Sequence, residues 1–119
     1  MIPSESMEQE ILFSWAELNL RKYPMLEDMT ASLVGVKLTM GQAMKAKKMG
    51  VKKAWPDIML AYPSNGFHGL FIELKSLKGY ATKEQKDRID RFKKNGYAAF
   101  VCRGFVEAKK AIEEYLCKS

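Results

Sequence analysis

The stretch Trp55-Pro56-Asp57-Ile58-Met59-Leu60-Ala61-Tyr62, followed by Pro63-Ser64-Asn65-Gly66 and then Gly69-Leu70-Phe71-Ile72-Glu73-Leu74-Lys75, decides how this chain is read. Ile58 to Tyr62 predicts a strand. Pro63 to Gly66 is a cluster of turn formers. Gly69 to Lys75 predicts a second strand, so residues 58–75 read as a β-hairpin. Side chains alternate faces along a strand, so Glu73 and Lys75 point the same way. Ile72 and Leu74 point the other way, into apolar packing. The hairpin returns Asp57, which opens the first strand, alongside the second. Its register is left open by the sequence.

Working outward, Thr82 to Asn95 predicts a helix. Thr82 with Gln85 three residues on matches a capping box, and Gly96 supplies the stop. Tyr97 to Cys102 predicts a third strand, and a last helix runs from about 105 to 117. Upstream, residues 5–21 read as a helix with Ile11, Leu12, Trp15 and Leu18 at helical spacing. Pro24 breaks the chain, Ala31 to Leu38 is apolar enough for a strand, and residues 40–49 form a short helix closed by Gly50. Strand–helix–strand in the second half implies a right-handed crossover and parallel pairing. The expected fold is α/β: a small mixed β-sheet flanked by helices.

The chain has 119 residues, which predicts a single domain over 1–119. At 47% hydrophobic and 11% aromatic it has the apolar content for a core, which argues against disorder. No run of about 18 apolar residues is present, so no membrane helix is expected. Met1 to Glu10 carries three glutamates and no basic segment, unlike a signal peptide. Cys102 and Cys117 lack metal-ligand spacing, which excludes a disulfide or zinc framework and suits a reducing, cytoplasmic setting. The formal charge is +6, from 20 basic and 14 acidic residues, and points to a polyanionic partner.

Two carboxylates converging on one spot repel, and a divalent cation relieves that repulsion. Oxygen donors such as Asp57 and Glu73 suit Mg²⁺ or Mn²⁺. A lysine beside them, Lys75, holds an attacking water or stabilises developing charge on phosphorus. Metal-activated water with charge neutralisation is the chemistry of phosphodiester hydrolysis. Alone, a Glu-x-Lys strand is commonly an ordinary solvated face. The Pro-Asp at hairpin distance is what favours a site.

A third carboxylate is sought on the first helix. With Glu5 at 0°, the apolar residues Ile11, Leu12, Trp15 and Leu18 fall at about 240°, 340°, 280° and 220°. Glu8 falls at about 300°, inside that stripe, and Glu5 on its edge. A carboxylate on a buried face is costly unless paired or liganding, so Glu8 is the first candidate metal ligand and Glu5 the reserve. The alternative is a helix that starts after Glu8, leaving it a first-turn glutamate favoured by the dipole. Gln85 has two readings as well. It is the partner of the Thr82 cap, and it lies in a stripe with Ile89 and Phe92 that faces the sheet, where its amide positions a water, Lys75 or a phosphate.

Lys45, Lys47, Lys48, Lys52 and Lys53 place five lysines in nine residues just ahead of Asp57. An anion relieves charge at that density, and a nucleic-acid backbone supplies it. A solvated helix face is the plainer alternative. Lys83 to Lys94 forms a second basic surface interrupted by Glu84, Asp87 and Asp90. His68, the one histidine, reads as a structural or exposed turn residue, and Cys102 as core.

Met49-Gly50-Val51-Lys52-Lys53-Ala54-Trp55-Pro56-Asp57-Ile58, Gly69 to Lys75, Gln85 and Asn95-Gly96-Tyr97 together resemble the VRR-NUC domain, a branch of the PD-(D/E)XK nucleases. Glu5, Glu8, Gln9, Phe13, Trp15 and Ala16 resemble the opening helix of that family. The resemblance covers nearly the whole chain, as in the stand-alone phage and bacterial members. It implies a restriction-endonuclease-like core, with Asp57 and Glu73 as metal ligands and the Leu74 carbonyl as a further one. It implies that Glu8 completes the acidic set, that Lys75 is the catalytic lysine, and that Gln85 is the helix glutamine. Stand-alone members are similar to Holliday junction resolvases. The implied protein is therefore a homodimeric, Mg²⁺-dependent, structure-selective endonuclease of branched DNA. The rival readings are a non-catalytic DNA-binding module and a nuclease of linear duplex. Two departures stand out: Ala54 where members often carry glycine, and Ser32-Leu33-Val34-Gly35 in place of an Ile-Pro-Asn-Gly stretch.

Overall fold

A computed structural model describes residues 2–32 and 37–117. Helix α1 spans Glu5–Leu18, strand β1 Met29–Ala31, helix α2 Met40–Lys48, and strand β2 Ile58–Leu60. Strand β3 spans Leu70–Lys75, helix α3 Lys83–Lys94, strand β4 Ala98–Arg103 and helix α4 Gly104–Leu116. The sheet order is β1-β2-β3-β4. The first two pairings are antiparallel, and β3 with β4 is parallel. The mixed α/β fold read from the sequence is therefore the fold observed.

Each element follows from local chemistry. Ser4 accepts from the Met7 amide and starts α1. Asn19 ends it: its side-chain amide donates to the Trp15 carbonyl at 2.7 Å, so the helix stops at Leu18 and not at residue 21. The Thr82–Gln85 capping box is present as read, and Thr39–Gln42 forms a second, unforeseen one at α2. The hairpin turn is tight: Asn65 and Gly66 both have positive φ, 51° and 86°, which is the two-residue turn that an Asn-Gly pair favours.

The core has two parts, one on each face of the sheet. Leu12 and Ala16 of α1 and Ala108, Ile112 and Tyr115 of α4 pack on Ile58, Leu60, Leu70, Ile72 and Leu74. On the opposite face Ile89 and Phe92 of α3 meet Phe71, Ala99 and Trp55. Strand β3 is thus covered on both sides, as a central strand next to a parallel neighbour should be. Helix α4 is fastened at its end by the hairpin loop. Ser64 and Asn65 side chains donate to the Tyr115 carbonyl at 2.6 and 3.1 Å, and the Tyr115 hydroxyl donates to the Tyr62 carbonyl at 2.6 Å.

Two expectations need correction. A strand lies at Met29–Ala31, after a 3-10 turn over Pro24–Asp28, and shares Ala31 with the one expected over 31–38. Lys37 to Thr39 carry no regular structure, and residues 33–36 lie outside the described residues, so the Ser32–Gly35 departure is placed only at Ser32. Along α1 the buried line is Glu8, Leu12 and Ala16, whereas Ile11 and Leu18 are exposed. The contact with α4 is made by residues four apart, so the helix is rotated relative to the stripe first drawn. Among the described residues no helix is long and apolar enough to cross a membrane. Both cysteines are free, Cys102 in the core and Cys117 exposed.

Candidate active site

The register of β2 on β3 settles what the sequence left open. Ile58 faces Ile72 and Leu60 faces Leu70. One residue further along the same register, Asp57 comes opposite Glu73. The Asp57 carboxylate accepts a hydrogen bond from the Leu74 amide at 2.8 Å, which anchors it across the strand end. Glu73 and Lys75 share the α3 face of β3, as alternation requires. Lys75 Nζ lies 3.7 Å from Glu73 Oε2.

Gln85 performs both roles at once. Its Oε1 accepts from the Thr82 amide at 2.9 Å, closing the capping box, while its Nε2 reaches Glu73 Oε2 at 3.4 Å. The cap therefore fixes the side chain that faces the carboxylate. Lys75 and Gln85 both address Oε2. Glu73 Oε1 is buried without a hydrogen-bond partner among the described residues. A buried, unsatisfied carboxylate oxygen is costly. Burial, and next the neighbouring Asp57, push the Glu73 carboxyl up to about 9. Lys75 pulls it down, and Glu5 adds a smaller upward push.

This donor set fits a hard divalent cation. Asp57 and Glu73 supply two carboxylates that repel each other, one of them with a buried oxygen that has no partner among the described residues, and the Leu74 carbonyl follows Glu73 directly in sequence. Mg²⁺ characteristically takes one or two carboxylates and fills its remaining positions with water and phosphate oxygens.

The two glutamates weighed on the first helix have different settings. Glu8 is buried, as its position in the stripe required, but its Oε2 accepts from the Phe105 amide at 2.6 Å, at the start of α4. A carboxylate at a helix N-terminus is favoured by the exposed amides and the dipole there. Among the described residues, no three His, Cys, Asp or Glu side chains gather into a group able to hold a metal. Through this bond Glu8 ties α1 to α4. It is Glu5 that lines a pocket of about 530 Å³ together with Gln9, Phe13, Ser32, Asp57 and Leu74. The sequence held Glu5 only in reserve. Glu8 and Phe105 are 97 residues apart, and no local pattern couples them.

The lysines expected to meet phosphate are all exposed. Lys45, Lys47 and Lys48 form the last turn of α2, and Lys52 and Lys53 lie on the loop leading to Asp57. That loop is held from α3. Arg88 donates to the Lys53 carbonyl at 3.1 Å and lies 5.3 Å over the Trp55 ring. Ala54 between them has a φ of 57°, the left-handed region that favours glycine, the residue that the family resemblance leads one to expect there. On α3 one ion pair forms within the basic surface, Lys83 with Asp87 at 3.2 Å. His68 is an exposed turn residue set edge-on to Tyr97.

With this geometry in place, comparison with known proteins gives a consistent answer. The model of the VRR-NUC domain matches residues 4–106. A solved structure described as a VRR_NUC domain protein is 31% identical, with a TM-score of 0.81 over 97% of this chain and 89% of that one. A comparison with curated proteins found no match. The chain belongs to the VRR-NUC family, and its fold is of the nuclease type, with a PD-(D/E)XK-like core.

Proposed function

We propose that this chain is a Mg²⁺-dependent endonuclease of DNA, with Mn²⁺ as a substitute ion, selective for branched structures and active as a homodimer. The observation that carries the reading is the strand-end pair. Asp57 is tied to the Leu74 amide, and Glu73 beside it keeps a buried oxygen without a partner among the described residues while Lys75 and Gln85 hold the other. Asp57, Glu73 and the Leu74 carbonyl would hold the ion, with Glu5 lining the pocket from α1. When bound, the ion supplies an activated water and offsets charge on the phosphodiester. Lys75 orients the water and stabilises negative charge, and Gln85 keeps Glu73 aimed. The exposed lysines of residues 45–53 take the DNA backbone.

Support for a second copy comes from α1. Met7, Ile11 and Leu18 are 51%, 44% and 84% exposed. At 100° per residue they lie within about 40° of one another, an apolar line on the outer face. Two sites related by a two-fold axis suit paired cuts in a branched substrate.

The test is a panel of linear duplex, flap and four-way DNA incubated with Mg²⁺ or Mn²⁺. Branched substrates should be cut faster than linear duplex, and Asp57→Asn and Glu73→Gln should bind DNA without cutting it. Wild-type protein that binds DNA but cuts nothing with either ion would make this a binding module. Equal cutting of all three substrates would remove the selectivity.

A further inference from the structure

Helix α2 is unlike every other helix here. It is capped at its N-terminus by the Thr39–Gln42 box, yet among the described residues none of its own is buried. Met40 and Met44 are 82% and 57% exposed. A nine-residue helix gains little from propensity alone; short helices in proteins are held chiefly by the face they bury. A helix that is formed yet, among the described residues, has none fully buried and only Ala46 half-buried is an element prepared for a partner.

The partner's chemistry follows from charge. Between Asp28 and Asp57 the sequence has six lysines, Lys37, Lys45, Lys47, Lys48, Lys52 and Lys53, and no carboxylate. The other 14 basic residues are matched by the 14 acidic ones, so this segment holds the chain's whole net charge of +6. Two copies of such a face repel each other, whereas a nucleic acid complements it.

The arrangement around α2 goes further. At 100° per residue, with Met40 at 0°, Met44 falls at about 40°, Lys47 at about 340° and Lys48 at about 80°. The two methionines are thus bracketed by two lysines on one face. Phosphates need only the lysines. Exposed apolar side chains between phosphate contacts suit base faces, which are exposed where DNA is single-stranded or unstacked and hidden in continuous duplex. The polarisable thioether adapts to flat aromatic surfaces.

We propose that α2 is the element that distinguishes unpaired DNA from duplex, with Lys47 and Lys48 on phosphates and Met40 and Met44 against unstacked bases. This rests on the DNA-cleaving reading above and names the structural feature that it would select.

Binding without metal tests it independently of cleavage. Anisotropy titrations with fluorescent single-stranded, flap and duplex DNA would compare wild type with Met40→Gln/Met44→Gln and Lys47→Gln/Lys48→Gln. Glutamine keeps the helix propensity of both residues it replaces. The methionine pair should lose about tenfold for single strand and flap and little for duplex, with the salt dependence intact. Met40→Leu/Met44→Leu should restore the preference. The lysine pair should weaken all three and lower the salt slope by about two. Wild-type affinity in the methionine-to-glutamine pair would overturn the proposal, as would an equal loss on all three DNAs. A changed solution mass with DNA binding intact would assign the face to a second copy instead. Absence of cleavage while these differences persist would sink the nuclease reading and leave the proposal standing.

Discussion

Glu73 is subject to two opposed demands. It is 2% exposed on a central strand, where a neutral group is favoured, and it faces Asp57, where ionisation is resisted again. Its folded carboxyl is raised from 4.5 to about 9, so the folded state keeps a proton that the unfolded chain releases. Stability from this group is full below pH 4.5 and is lost as pH rises through 9. Thermal melts of the metal-free protein should therefore show a falling melting temperature between these limits, and Glu73→Gln should flatten the curve. Mg²⁺ should raise the melting temperature more at pH 8 than at pH 6, because only the ionised pair binds it. Melts of wild type and variant across pH, with and without Mg²⁺, check both statements. Lys75→Met should lower the cleavage rate by about 10²–10⁴-fold while DNA affinity holds; single-turnover kinetics with parallel binding curves separate the two. Cys102, pushed up to about 12 by burial and by Glu107, is an inert core thiol.

At the scale of elements, α4 is fixed at one end by Glu8 and at the other by the hairpin loop. Glu8→Ala leaves the Phe105 amide without its charged acceptor and should cost about 1.5–3 kcal/mol of stability, with Glu8→Gln costing less. Gly104 has a φ of 81°, and a Cβ there would come within 2.8 Å of both Glu8 Oε2 and Leu77 Cδ2. Gly104→Ala should therefore destabilise the protein at least as much. Denaturant titrations of the three variants give the order. The loop before Asp57 offers the opposite case. Ala54 sits at a positive φ, so Ala54→Gly should stabilise the protein by up to about 1 kcal/mol. The capping box, the Asn-Gly turn and the alternation of Glu73 and Lys75 were all readable locally, because each depends on residues within a few positions. The end of α1 at Asn19 is equally local, a side-chain bond to Trp15 four residues back, but apolar periodicity alone runs past it. The start of β1 before Ala31 was not readable, because it follows from pairing with β2, some thirty residues away.

For the whole molecule, the apolar line of Met7, Ile11 and Leu18 belongs with the proposed two-fold assembly. Leu18→Glu with Ile11→Glu should halve the solution mass measured by light scattering, with the fold intact, since neither residue is buried. What the sequence determined by itself is the set of elements and the chemistry they carry: a hairpin bearing Asp57, Glu73 and Lys75, a capped helix bearing Gln85, and a lysine-rich approach. These follow from periodicity, turn formers and residue type, which are properties of neighbours in the chain. Tertiary structure alone decided which glutamate of α1 goes where. Rotation of α1 against α4 sends Glu8 to a helix N-terminus and leaves Glu5 at the Asp57 pocket. Three residues apart in sequence, they lie about 60° apart around the helix, on one face. Which of two carboxylates on the same face reaches the Asp57 pocket depends on how two helices pack, and nothing local encodes that.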